Sequence, residues 1–189
     1  QDVNGYFMCD IGRYGFHRFE EIERIIHPML RNGKSFNVLD WDEAIKKTAD
    51  LIEKSKEKTA GIVSPLHTNE SNYLLGMMMK NTLGFLPPIT GEEITYPTGF
   101  RISADRSPNL RGMKDVCGKL EEDFSSIIKT RDICGLYILD DGIDRELDDR
   151  WKDILAKMDF VIVQGYAMTE LAKSAHIVLP GLAPFEREG

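Results

Sequence analysis

Cysteine is scarce in this chain. Cys9, Cys117 and Cys134 are the only three, and they are far apart. An odd count at wide spacing argues against a disulfide framework and makes a reducing cytoplasm the default compartment. A cluster held by four cysteines cannot be assembled from this chain alone. Long hydrophobic runs are missing too, so no segment is expected to span a bilayer. The first residues lack the basic-then-apolar layout of a secretory signal. Positive charge is in deficit: 24 Lys and Arg face 31 Asp and Glu, for a net charge of −7. Nucleic-acid partners need clustered cations to neutralise phosphate, so none is expected here. Glycine-rich phosphate loops of the G-x-G-x-x-G or Gly-Lys-Ser/Thr kind are absent, as is a G-x-S-x-G nucleophile turn. Among the four histidines, His17, His27, His67 and His176, no pair has metal-ligand spacing with a carboxylate between. They read as structural or solvated, with metal binding a poor second.

What is present fits a soluble globular protein of 189 residues, 42% hydrophobic and 29% charged. "FEEIERIIHP" reads as a short helix stopped by Pro28. In "FNVLDWDEAIKKTADLIEKSKEK", Trp41, Ala44, Ile45, Thr48, Ala49 and Ile52 recur at helical spacing behind Asp40 as N-cap. "TAGIVSP" is a strand. "HTNESNYLLGMMMKNTLG" is a helix capped by Thr68 or Asn69 and ending at Gly84. From Phe85 to Gly112 prolines and glycines predict a long irregular segment. Met113, Val116, Cys117, Leu120, Phe124, Ile127 and Ile128 form one helical stripe. Cys117 on that stripe and Cys134 in an apolar strand read as buried core. Then come strand "ICGLYIL", the turn Asp140-Asp141-Gly142, a helix marked by Leu147, Trp151, Ile154, Leu155 and Met158, strand "FVIVQG", a short helix and strand "HIVLP". Alternating continuous apolar strands with helices predicts an α/β fold: a parallel, Rossmann-like sheet with helices on both faces.

In such sheets ligands bind outside the carboxyl ends of the strands. Here those ends are Asp140-Asp141-Gly142, Gln164-Gly165-Tyr166 and Pro180-Gly181. They define a candidate crevice, against the plainer reading that they are ordinary strand-to-helix turns.

Several stretches occur together in order: "VNGYFMCDIGRYGFH", "PMLRNGKSFNVLDWDEAI", "LHTNESNYLLGMMMKNTLG", "SADRSPNLRGMKDVCG" and "FVIVQGYAMTELAKSAHIVLPGLAPFEREG". In this they resemble the molybdopterin-oxidoreductase superfamily, above all its branch of large, G-type subunits of bacterial NADH:quinone oxidoreductases. Formate dehydrogenase alpha chains are similar.

The resemblance implies a shortened molybdopterin-oxidoreductase-like domain over residues 36–189, preceded by a segment, 1–35, that follows an iron–sulfur region. It implies that Cys9 is the fourth ligand of a 4Fe–4S cluster whose other ligands lie in sequence or chains outside this one. Gln164, Thr169, Glu170 and Pro180 fall at the family's pterin-pocket positions. It implies a piece of a larger polypeptide, or a reduced descendant of one, since family members continue past this Glu-x-x-Gly. The family's metal-ligand loop is here "FLPPITGEEITYPTGFR", without Cys, Ser or Asp, and Leu171 and His176 replace polar positions of its pattern. No molybdopterin is therefore expected. The implied function is a non-catalytic scaffold or electron-transfer subunit of an NADH-oxidising complex on the cytoplasmic side, partnered by other redox subunits. The alternatives are a fragment of a formate dehydrogenase-type enzyme and an assembly module without cofactor.

Overall fold

The computed structural model describes residues 13–17, 19, 22–79, 81–99, 101–118, 120 and 125–187; Cys9 lies outside them. Among the described residues, nine strands and six bounded α-helices follow one another. A hairpin of β1 (Met29–Asn32) and β2 (Ser35–Val38) leads to α1 (Trp41–Lys54), β3 (Thr59–Val63), α2 (Asn69–Met78) and β4 (Asn81–Phe85). A small ladder of β5 (Ile94–Thr95) and β6 (Arg101–Ile102) precedes α3 (Leu110–Cys117) and α4 (Ser125–Thr130). The remainder is β7 (Gly135–Leu139), α5 (Asp149–Leu155), β8 (Phe160–Gly165), α6 (Glu170–Ser174) and β9 (Ile177–Pro180).

Seven strands form one sheet in the order β2-β1-β9-β8-β7-β3-β4. The five from β9 to β4 are parallel, and β1 pairs antiparallel with β9 and with β2. Strict alternation along the strands builds two cores. Ala60, Ile62, Leu136, Ile138, Val161, Val163 and Val178 face Ile128, Trp151, Ile154 and Ala172 of α4, α5 and α6. Tyr137, Leu139, Ile162, Ile177 and Leu179 face Ala44, Leu75 and Met113 of α1, α2 and α3. Helices thus cover both faces, which is why these strands read as unbroken apolar runs. Among the described residues no helix is long and apolar enough to cross a membrane.

Local signals hold where a side chain meets its own backbone. Asp40 Oδ1 accepts from Glu43 N at 2.8 Å, and Thr68 Oγ1 accepts from Ser71 N at 3.3 Å. The structure departs from the sequence reading in four places, the first two through longer-range pairing. Ile22–Pro28 is not a helix: Arg24 bridges Ala167, and Ile25 N donates to Tyr166 O at 3.0 Å. The helix expected to run to Gly84 ends at Met78, and Asn81–Phe85 pairs parallel with β3 instead. The single stripe from Met113 to Ile128 is two helices, because Gly118 takes φ +73° and ends α3. Of the α1 stripe, Ala44 and Thr48 are buried, whereas Trp41 and Ile45 are exposed. The hairpin turns on Gly33-Lys34, with Gly33 at φ +62° at the first turn position, and its second strand crosses the boundary between residues 35 and 36. Cys117 and Cys134 are free thiols, partly rather than fully buried.

One turn residue is tightly constrained. Gly142 has φ +71°, and a Cβ there would lie 2.2 Å from Cζ of Tyr166. Gly142→Ala is expected to lower the unfolding free energy by about 2 kcal/mol, from backbone strain and overpacking together. A midpoint in urea unchanged from wild type would refute this.

Candidate functional site

From β3 the chain crosses to β4 at one edge, then returns to the far side of β3 and continues through β7, β8 and β9. The direction of winding reverses between β3 and β7, so the loops after these strands diverge there, where open sheets place their ligands.

In this structure a hydrogen-bonded network fills that point. Ser64 follows β3 and is buried; its Oγ donates to Asp141 Oδ2 at 3.1 Å. Asp141, at the end of β7, also accepts from Arg145 at 2.6 and 2.9 Å and from Ile143 N at 3.1 Å. Arg145 donates as well to Pro87 O at 3.1 Å, tying in the long segment after β4. Asp140 accepts from Gly142 N at 3.0 Å and from the Thr169 hydroxyl. Thr169 Oγ1 in turn accepts from Ala172 N as N-cap of α6. His67 Nε2 donates to Asp140 O at 2.9 Å. Asn72 of α2 accepts from Ser64 N and donates to Ser64 O, at 3.2 and 3.0 Å.

Burial sets the charge states. Desolvation pushes the Asp140 carboxyl up to about 6, partly countered by its hydrogen bonds from Thr169 and Gly142. Desolvation, aided by the nearby Arg187 cation, pushes His67 down to about 4, so its imidazole is neutral at pH 7. Burial lifts Tyr137 to about 12; its hydroxyl donates to Gln164 Oε1 at 2.8 Å.

Beside the network, on the α2 face, lies a cleft of about 490 Å³. Its floor is Tyr137, Leu139 and Gln164 at the ends of β7 and β8. One wall is α2, and the other is the segment after β9 carrying Leu182 and Arg187. A smaller cavity of about 100 Å³ opens on the opposite face, lined by Asp140, Arg145, Trp151 and Thr169 among others.

The four pterin-position residues do not converge on one pocket. Gln164 borders the larger cleft, with its amide engaged by Tyr137 and by Pro180 O, the latter at 3.5 Å. Thr169 lines the smaller cavity, and its hydroxyl serves Asp140 and α6. Glu170 is exposed and pairs with Lys173 at 3.0 Å. Pro180 supplies only its backbone carbonyl. This arrangement does not fit a shared cofactor pocket, and no step through a pterin is derived from it. Among the described residues no group of three His, Cys, Asp or Glu is placed to hold a metal ion. His17 and His27 are exposed, as their sequence context suggested. His176 is partly buried, and its Nδ1 accepts from Val161 N at 3.0 Å.

Sequence reasoning located the strand ends but missed the residues that meet there. Ser64 and Arg145 lay outside the ordered motifs, and Asn72 and Arg187 stood within them without an assigned role. The four-residue spacing of Asp141 and Arg145 was the one legible hint, and their loop is not helical.

No family model matches the chain. Over 73 residues, 39% of the chain, it is 40% identical to the G-type subunit of NADH-quinone oxidoreductase from Escherichia coli strain K12 and from Salmonella typhimurium strain LT2. The corresponding protein of Yersinia pestis is 38% identical over the same length. The matched segment covers 8% of each of these relatives, so the chain spans a small part of their length. Over that segment, and in keeping with its ordered motifs, the chain is similar to the G-type subunit of NADH-quinone oxidoreductase.

Proposed function

We propose that this chain is part of a subunit of an NADH-oxidising, multi-subunit oxidoreductase, and serves there as a non-catalytic α/β scaffold beside iron–sulfur clusters. The domain is a shortened, Rossmann-like, molybdopterin-oxidoreductase-type unit on the cytoplasmic side of the complex, in contact with other redox subunits. The observation that carries membership of the complex is the 40% identity to the G-type subunit over 73 residues. The geometry supports the scaffold role. At the switch point the polar groups are paired with one another: Asp141 with Arg145 and Ser64, Asp140 with Thr169, and Asn72 with Ser64. His67, the histidine at this point, is pushed down to about 4 by burial, which makes it too weakly basic to serve as an effective general base near neutral pH. The iron–sulfur part rests on Cys9, as the fourth ligand of a cluster completed by cysteines elsewhere.

Purified as the intact complex, Cys9→Ala is expected to abolish one iron–sulfur EPR signal while the others persist. An unchanged spectrum removes the cluster from this reading. Metal analysis of the same complex addresses the scaffold role: molybdenum or tungsten at near-stoichiometric amount, assigned to this chain, would overturn it.

A further inference from the structure

Among the described residues, the cation in the large cleft, Arg187, has no ion-pair partner. Arg187 is partly buried, and burial acts against its charge. Its Nε donates to Leu182 O at 2.9 Å and its Nη1 to Leu66 O at 3.4 Å. Among the described residues, Nη2 makes no hydrogen bond and Arg187 forms no ion pair. The neighbouring Glu186 favours the charge only through space, because its carboxylate is held by Arg24 at 2.8 and 3.0 Å. Buried guanidinium groups are normally paired with an anion.

Beside polar groups such as Thr68, Glu70 and Ser71, the cleft carries an apolar strip that is open to solvent. Leu74 is 63% exposed, Met78 53% and Leu182 56%, and all three border it. Leu75 and Leu139 extend this surface inward. The volume of about 490 Å³ lies within the range of small-molecule sites, roughly 300–1,000 Å³. His67 also lines the cleft; its Nε2 carries the hydrogen donated to Asp140 O, leaving Nδ1 with a lone pair and no partner among the described residues.

We propose that this cleft binds an amphipathic carboxylate, its head group on Arg187 and its aliphatic chain along Leu74, Met78 and Leu182. One unpaired guanidinium edge suits a monoanion. Glu70 at the rim, the buried Asp140 and Asp141 behind, and the net charge of −7 all oppose a polyanion. The three exposed apolar side chains supply the hydrophobic share of affinity, which scales with the area removed from water. The proposal goes beyond the scaffold reading and does not depend on it. Gln164 is the one pterin-position residue bordering the cleft, and its amide is engaged elsewhere.

Binding has a second consequence. A carboxylate beside Arg187 offsets the positive charge that helps hold His67 down, so His67 gains basicity and takes up part of a proton.

The test is titration of the full chain with sodium octanoate by calorimetry, with the His67 ring signals followed by NMR. Saturable binding to one site is expected, with the His67 pKa rising from its depressed value. Arg187→Gln should weaken octanoate at least tenfold, and octan-1-ol and inorganic phosphate should each bind wild type at least tenfold more weakly than octanoate. Octanol binding as well as octanoate would reduce the site to a greasy patch, and phosphate binding as well would reduce it to an anion hole. Either outcome overturns the proposal, as does octanoate binding unaffected by Arg187→Gln or no saturable binding at millimolar concentration. The ligand comparisons use wild-type protein, so they decide the question even if the Arg187 variant does not fold.

Discussion

Arg145→Met is expected to lower the free energy of unfolding by about 3 kcal/mol, the lower end of the cost of orphaning a buried charge. The Asp141 side chain is 0% exposed, and Arg145, 26% exposed, covers it with two hydrogen bonds of 2.6 and 2.9 Å. Without the guanidinium, Asp141 keeps only the Ser64 hydroxyl and Ile143 N–H as partners. Those satisfy lone pairs but do not compensate a desolvated carboxylate. The loss therefore lies mainly in Asp141's charge rather than in Arg145's contacts. Asp141→Asn in the Arg145→Met background should recover most of the lost stability. Urea unfolding of both single variants and the double variant measures the coupling. Amide exchange should also quicken around Pro87, whose carbonyl accepts from Arg145 at 3.1 Å. A single-variant loss below about 1 kcal/mol, or a double variant no better than Arg145→Met, would mean that the charge is less buried than the structure places it.

Asp140 and His67 should oppose each other as pH falls. Asp140 titrates near 3.8 unfolded and at about 6 folded, because burial disfavours its anion. The folded state thus holds more protons between these values, and stability rises as pH drops from about 6 toward 4. His67 titrates near 6.5 unfolded and at about 4 folded, because burial and Arg187 disfavour its cation. There the unfolded state binds more protons, and stability falls as pH drops from 6.5 toward 4. Each effect amounts to about 3 kcal/mol, and they nearly cancel. Asp140→Asn should unmask the histidine, losing about 3 kcal/mol relative to wild type on going from pH 6.5 to 4. His67→Gln should unmask the aspartate and gain a similar amount over the same window. Taking each variant relative to wild type removes shared contributions, such as that of Glu186, which Arg24 holds below the usual carboxylate range. Stability curves running parallel to wild type in both variants would show that neither group is displaced from its ordinary titration.

The legible part of this protein was local. Asp40 and Thr68 were readable as caps because a short polar side chain reaches an N–H three residues on. The strands around Leu136, Val161 and Val178 were readable because a sheet covered on both faces leaves no polar alternation to confuse them. The strand ends as a candidate crevice followed from that sheet. The helical readings of Ile22–Pro28 and of Asn81–Gly84 were lost to pairing with distant segments, at Ala167 and at β3. Nothing within those stretches records that competition.

By itself, then, the sequence determined the strands around Ala60, Leu136, Val161 and Val178, the helices capped by Asp40 and Thr68, and which loops lie at the carboxyl ends. The tertiary structure decided the strand order, the reversal between β3 and β7, and the meeting of Ser64 with Asp141 and of Arg187 with the Leu66 carbonyl. The reason is physical. Periodicity reports which face of an element is dry, a property of neighbours in sequence. Charge pairing and desolvation at the site depend on residues 77 and 121 positions apart, brought together only when the sheet assembles.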